Sequence, residues 1–204
     1  VSSSGVVTGV AAGTSVITYT NSNGCSATQT VTINALPTIS GTAEVCVGST
    51  TTLTGSGTAA SSSPWTSSNS AVASITSAGV MTGASAGTAT ITYTNNNGCS
   101  VTTNAIVNSL PTITGSTSVC QFSTLSLTGS GTAASSNPWT SSNTTLATVS
   151  NTGSVFGVGS GNVTISYTNN KGCTETQIIT VNGQPSVSVS PSSATISPGG
   201  SQSL

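Results

Sequence analysis

Histidine, aspartate and arginine are absent from these 204 residues, and charge is confined to Glu44, Lys171 and Glu175. A serine or cysteine nucleophile needs a neighbouring base, so a chain this poor in bases is expected to catalyse nothing. Nucleic acid needs clustered Lys and Arg, which excludes that class of partner. Calcium sites want several carboxylates each, and two glutamates do not supply them, so no metal and no cofactor is expected. An intramolecular isopeptide bond would consume a lysine per domain, and only Lys171 exists. No apolar run approaches the eighteen or so residues of a membrane-spanning helix, so no membrane span is expected in this segment. Aromatic residues are few, with two Trp, three Tyr and two Phe.

What the chain has is repetition. Pro37, Trp65, Tyr93, Gly98 and Cys99 recur 74 residues on as Pro111, Trp139, Tyr167, Gly172 and Cys173, and the two stretches 37–110 and 111–184 share 39 of 74 positions without a gap. Tyr19 and Cys25 keep the same step upstream. A period of this length marks an array. Residues 37–110 and 111–184 read as complete repeats, 1–36 as the latter half of one, and 185–204 as the start of a further domain in which Ala194 takes the cysteine position. The chain is thus expected to be an excerpt of a longer array, in which a missing leader or anchor carries no information. Apolar residues make up 34% of it and are regularly placed, which separates it from disordered chains of similar polarity.

The five cysteines follow the same period. Cys46 and Cys99 lie 53 apart, as do Cys120 and Cys173, and Cys25 takes the second position of a repeat whose first half is not in this sequence. The expected arrangement is one bridge within each repeat, Cys46–Cys99 and Cys120–Cys173, with Cys25 left over. Closing a loop of that length is worth roughly 4 kcal/mol in the chain-entropy model, a useful addition for domains with so small a core. The competing reading is buried free thiols; zinc is disfavoured by the absence of C-x-x-C pairs. Disulfides would place the protein in an oxidising space outside the cytoplasm.

Within one repeat the signals are those of strands. Pro37-Thr38-Ile39 reads as an opening edge strand that Val45-Cys46-Val47 continues, followed by Thr50–Thr54, a strand from Trp65, Val72–Ile75 and Val80–Thr82. The clearest is Thr88–Thr94, in which Ala89, Ile91 and Tyr93 alternate with Thr88, Thr90, Thr92 and Thr94, the period of a half-buried strand. Asn95-Asn96-Asn97-Gly98 signals a hairpin with a primed turn, and Val101–Val107 is its second strand. Seven or so short strands predict a small antiparallel sandwich. Only Asn108-Ser109-Leu110 separates the repeats, so domains roughly 30 to 40 Å long, at about 3.3 Å per strand residue, are expected end to end as a semi-rigid rod.

Trp65-Thr66-Ser67-Ser68-Asn69, Val72-Ala73-Ser74-Ile75, Gly79-Val80, Gly83, Gly87 and Ile91 resemble the signature of bacterial immunoglobulin-like domains of group 2, found in invasin- and intimin-type surface proteins. The next repeat keeps it as Trp139-Thr140-Ser141-Ser142-Asn143, Leu146-Ala147-Thr148-Val149, Gly153, Gly157, Gly161 and Ile165. The resemblance implies an all-β fold of tandem immunoglobulin-like sandwiches on a bacterial cell surface. The cysteine pair and the Tyr-Thr-Asn-Asn-x-Gly-Cys hairpin further resemble repeats of very large secreted adhesins of Bacteroidota, including the gliding-motility (SprB-like) type. That narrower resemblance implies gliding motility and type IX secretion as the setting.

Three functions compete on this reading. A stalk or filament segment would space a distal adhesive region from the cell, its partners being neighbouring repeats. A binding module would use the threonine rows against polysaccharide, glycans or a receptor, although threonine also simply suits an exposed strand face. An accessory region of a secreted enzyme is the third. Trp65 and Trp139 could stack on sugar but are better placed for the core, and Tyr19, Tyr93 and Tyr167 are expected in the core or at its rim. Asn143-Thr144-Thr145 and Asn162-Val163-Thr164 match the N-glycosylation pattern, which chance supplies readily in a chain so rich in Asn and Thr.

Overall fold

The computed structural model describes residues 1–186 and 195–201, so the cysteine-equivalent position Ala194 lies outside the described residues. Among the described residues every regular element is a β-strand. Backbone contacts divide the chain into two compact units, Val1–Leu110 and Pro111–Leu204.

The first unit opens with β1 (Gly13–Thr20) and β2 (Ser26–Ile33), an antiparallel hairpin that forms a two-stranded sheet of its own. The repeat 37–110 follows as β3 (Ile39–Ser40), β4 (Glu44–Cys46), β5 (Thr50–Thr52), β6 (Thr54–Gly55), β7 (Trp65–Ser67), β8 (Ala73–Ile75), β9 (Val80–Gly83), β10 (Gly87–Thr94) and β11 (Ser100–Asn108). One layer holds the ladders β3–β6 and β5–β9–β8; the other is the four-stranded sheet β4–β11–β10–β7. The core draws on both layers, with Leu53, Ala73 and Met81 from one and Trp65, Ala89, Ile91, Tyr93, Ala105 and Val107 from the other. The alternation of β10 is the cause: Ala89, Ile91 and Tyr93 are buried and the threonines between them face outward.

Trp65 and Tyr93 are direct cross-strand partners of β7 and β10, and their ring centroids lie 4.7 Å apart at an interplanar angle of 46°. Both tryptophans and both tyrosines of the two complete repeats are buried core residues. Tyr19 departs from the expectation, being 71% exposed: β1 pairs only with β2, and no tryptophan strand lies against it as β7 lies against Tyr93.

In the second unit the repeat is β12 (Ile113–Gly115), β13 (Ser118–Cys120), β14 (Thr124–Gly129), β15 (Trp139–Ser141), β16 (Ala147–Val149), β17 (Ser154–Gly157), β18 (Gly161–Thr168) and β19 (Thr174–Asn182). Its layers are β12–β14–β17–β16 and β13–β19–β18–β15. Here β14 runs unbroken where the first repeat has β5 and β6. Its core contains Leu127, Trp139, Val155, Ile165, Tyr167 and Ile179, and Trp139 meets Tyr167 at 4.6 Å.

The sheets are not wholly antiparallel. β4 pairs parallel with β11, and β13 with β19. The opening strand changes layers: β3 joins β6, the chain turns at Gly41, and β4 joins the last strand of the repeat in the opposite sheet. Gly41 sits at φ +105°, and a Cβ there would lie 2.7 Å from the Thr52 carbonyl oxygen, so the crossover needs glycine.

The hairpin turn also differs from expectation. Of Asn95, Asn96, Asn97 and Gly98, only Gly98 takes a positive φ, +75°, the pattern of a type I turn with a glycine bulge. Asn95 supplies the remaining constraint: its buried Oδ1 accepts hydrogen bonds from the backbone N–H groups of Asn97 at 3.1 Å and Cys99 at 3.0 Å. Asn95→Ala is expected to cost its repeat about 1–3 kcal/mol, because two donors at the turn lose their acceptor; the urea midpoint followed by Trp65 fluorescence measures it.

Candidate functional site

Each complete repeat has two distinguishable ends. At the entry end the chain arrives through Pro37, whose successor Thr38 donates its N–H to Ser56 Oγ at 2.8 Å. The β10–β11 hairpin lies at the same end, since Asn96 N–H donates to the Thr58 carbonyl at 2.8 Å, and a groove there is lined by Leu36, Pro37, Ser56, Thr58 and Asn95–Asn97. The second repeat reproduces this with Thr112 N–H on Ser130 Oγ and Asn170 N–H on the Thr132 carbonyl, both 2.8 Å. The exit end is where β11 finishes, and there Asn108 is the register partner of Cys46; in the second repeat Asn182 partners Cys120.

These ends decide the cysteine chemistry. Cys99 immediately precedes β11 at the entry end, and Asn108 beside Cys46 closes that strand at the exit end. Nine residues of extended strand separate the two levels, about 30 Å, whereas a disulfide needs Cα atoms within about 7 Å. The same holds for Cys173 and Cys120 along β19. The expected within-repeat bridges Cys46–Cys99 and Cys120–Cys173 are therefore not formed. Cys25, Cys99 and Cys120 are free thiols in the structure, while Cys46 and Cys173 are disulfide-bonded. Periodicity identifies which cysteines share a repeat, but a separation of 53 residues does not say that they share an end.

The second feature is the outward face of the hairpin sheet. In register, Thr92 lies between Thr66 of β7 and Thr102 of β11; in the second repeat Ser166 lies between Thr140 and Thr176. At the hairpin mouth the hydroxyls pair across strands, Thr94 with Ser100 at 2.9 Å and Thr168 with Thr174 at 2.8 Å. Ile178 interrupts this surface in the second repeat, 62% exposed. A shallow depression beside the first row is lined by Ser68, Thr88, Thr90, Asn104 and Ile106. Trp65 and Trp139 lie in the cores and offer no face for sugar stacking.

No group of three or more metal-ligating side chains occurs among the described residues, and no helix there is long and apolar enough to cross a membrane. No buried side-chain nitrogen or oxygen among them lacks a hydrogen-bond partner, so nothing polar is held inside in wait of a ligand.

The bacterial Ig-like domain (group 2) family matches residues 37–107 and 101–181, and the chain belongs to that family, as two such domains in tandem. No curated protein matches the sequence. Similar solved structures include an intimin mutant from EHEC O157:H7, 28% identical over 32% of this chain and 36% of that one, with a TM-score of 0.27. Domains 4 and 5 of the S-layer protein SbsC are 22% identical over 81% of this chain and 88% of theirs, with a TM-score of 0.29. Invasin is 16% identical over 84% of this chain and 46% of its own, with a TM-score of 0.44. The chain thus spans about a third of the intimin chain and under half of the invasin chain.

Proposed function

We propose that this stretch is a structural spacer of an extracellular bacterial surface protein, a stalk or filament segment that holds an adhesive region away from the cell. The observation that carries the reading is the duplication of one complete sandwich, each copy with its own closed core, in a chain without histidine, aspartate or arginine whose described residues hold no group of three or more metal-ligating side chains. Near-neutrality suits such a role, since stacked copies do not repel one another. Disulfide bonding fits an oxidising, extracytoplasmic setting. Residues 1–36 are read as the latter half of a preceding repeat and 185–204 as the start of a following domain. The parent protein is placed among the giant Bacteroidota adhesins of the gliding-motility type, exported by the type IX route, on the hairpin and cysteine pattern alone.

A second reading rests on the outward hydroxyl rows around Thr92 and Ser166, which could meet polysaccharide or a receptor. The invasin structure is titled an integrin-binding protein and one intimin structure contains its translocated receptor's intimin-binding domain, so tandem domains of this kind do occur in receptor-binding proteins. Glycan arrays probed with this chain separate the two. The spacer reading expects no retained glycan. Retention that Thr92→Glu and Ser166→Glu abolish would overturn it in favour of a binding module; both substitutions sit on the solvent face and should alter stability by no more than about 0.5 kcal/mol.

A further inference from the structure

We infer that the outer face of the sheet β12–β14–β17–β16 is a docking surface for a second copy of this chain, with Phe122 and Phe156 at its centre. These are the chain's two phenylalanines, and both are exposed, Phe122 at 60% and Phe156 at 38%. Neither serves the core of its repeat. Phe122 stands in the turn that leads from β13 into β14, at φ +65°, a conformation that strains any bulky residue. The first repeat makes the same turn with Gly48 at φ +80°: Gly48 N–H donates to the Gly83 carbonyl and Phe122 N–H to the Gly157 carbonyl, both at 2.8 Å. Glycine thus builds this turn with less strain. A strained ring kept at the surface points to a use there.

Phe156 lies on β17 between the buried Val155 and Gly157, so it faces away from the core. In register it is flanked by Thr124 of β14 and Thr148 of β16. The matching row of the first repeat is Thr50, Thr82 and Ser74, hydroxyls throughout. Phe122 comes two residues before Thr124, roughly 7 Å along the chain, so the second repeat carries an aromatic patch where the first has Gly48 and Thr82.

The chemistry of the patch selects its occupant. Of the chain's three charges, Glu44 belongs to the first repeat, and Lys171 and Glu175 to the β18–β19 hairpin of the opposite sheet. The face is therefore neutral, and a charged partner would be desolvated against it without a counter-charge. What does match it is the face itself. A row of Thr, Phe and Thr is symmetric about its centre, so a two-fold axis at Phe156 sets ring on ring and hydroxyl on hydroxyl, as an isologous contact requires. The two rings together leave about one aromatic side chain's worth of surface uncovered, roughly 150–250 Å². Two copies bring twice that, well under the roughly 1,200–2,000 Å² of a stable complex. The contact is accordingly weak, and it gains strength where many chains run side by side.

Sedimentation of the chain with its free thiols alkylated, from about 10 μM to about 1 mM, covers the range in which so small a contact dissociates. The average mass is expected to climb from that of one chain toward that of two, and to stay at one chain in a Phe122→Gly, Phe156→Thr variant. Both substitutions copy the first repeat, so the urea midpoint of the variant should not fall, which separates lost association from lost folding. A photo-crosslinking p-benzoylphenylalanine in place of Phe156 supplies a second readout, and should join two chains through β14, β16 or β17 of the second copy. An equal climb in mass for the variant, or crosslinks confined to other strands, would overturn the inference. A chain that stays monomeric throughout would overturn it too while leaving the spacer reading standing. If such a monomer bound a neutral polysaccharide and the double variant did not, the patch would belong to sugar instead.

Discussion

Trp139→Ala is expected to remove about 3–5 kcal/mol from the second repeat while leaving the first folded. The indole is 6% exposed, packs at a tilt against Tyr167 with ring centroids 4.6 Å apart and is the largest member of a core built mainly from Val, Leu, Ile and Ala. Truncation forfeits its transfer free energy and leaves a cavity, which for Trp or Phe to Ala costs about 3–5 kcal/mol. A repeat of this size has a total stability of about 4–11 kcal/mol, so the loss takes much of it. The measurement has a built-in reporter. Each repeat holds one tryptophan, and the variant retains only Trp65. In reductant, circular dichroism should show an early transition for the second repeat, while Trp65 fluorescence keeps its unsubstituted urea midpoint. A parallel shift of the Trp65 transition would show that the repeats share a core.

Gly79→Ala carries the second large effect, about 3 kcal/mol on the first repeat. Gly79 takes φ +81°, and a Cβ there collides with the Leu53 carbonyl oxygen and comes within 3.2 Å of Trp65 Nε1. The backbone has little room to yield, because Leu53 N–H donates to the Gly79 carbonyl at 2.8 Å and Gly79 N–H to that of Thr76 at 2.9 Å. Left-handed geometry alone costs an alanine roughly 1–2 kcal/mol, and overpacking adds about 1–3. Gly57→Ala isolates the first contribution, since Gly57 sits at φ +76° with nothing within 4 Å of its added Cβ. Urea denaturation of both variants should place Gly79→Ala well below Gly57→Ala. Equal midpoints would mean that the contact with Leu53 and Trp65 is relieved at no cost.

How far the fold was legible depended on whether a residue's role is local. The strand Thr88–Thr94 was readable because its alternation encodes burial directly, and β10 covers Gly87–Thr94. Trp65 and Trp139 were readable as core residues because aromatic side chains opening a strand in a chain with few aromatics have little alternative. The layer change at Gly41 was not, since one glycine signals a break without saying which sheet receives the next strand; hence the parallel pairing of β4 with β11 was missed. The turn at Asn95–Gly98 was placed correctly but mistyped, because Asn and Gly suit a primed turn and a glycine-bulge turn alike. Tyr19 shares its sequence pattern with Tyr93 but not its surroundings.

The cysteines show the limit most sharply. Equal spacing in successive repeats is what within-repeat bridges would produce, but spacing alone does not say that two thiols lie at the same end of a repeat. The register of β4 on β11 supplies what spacing lacks, because it puts Cys46 beside Asn108 and far from Cys99.

Single-molecule extension of this chain in reductant tests most directly the claim that it is a series of independent, mechanically resistant repeats. Two separate unfolding events are expected, each releasing roughly 20–25 nm, the contour of one 74-residue repeat at up to about 3.6 Å per residue less its folded span. One event releasing both lengths together, or extension without resistance, would contradict it.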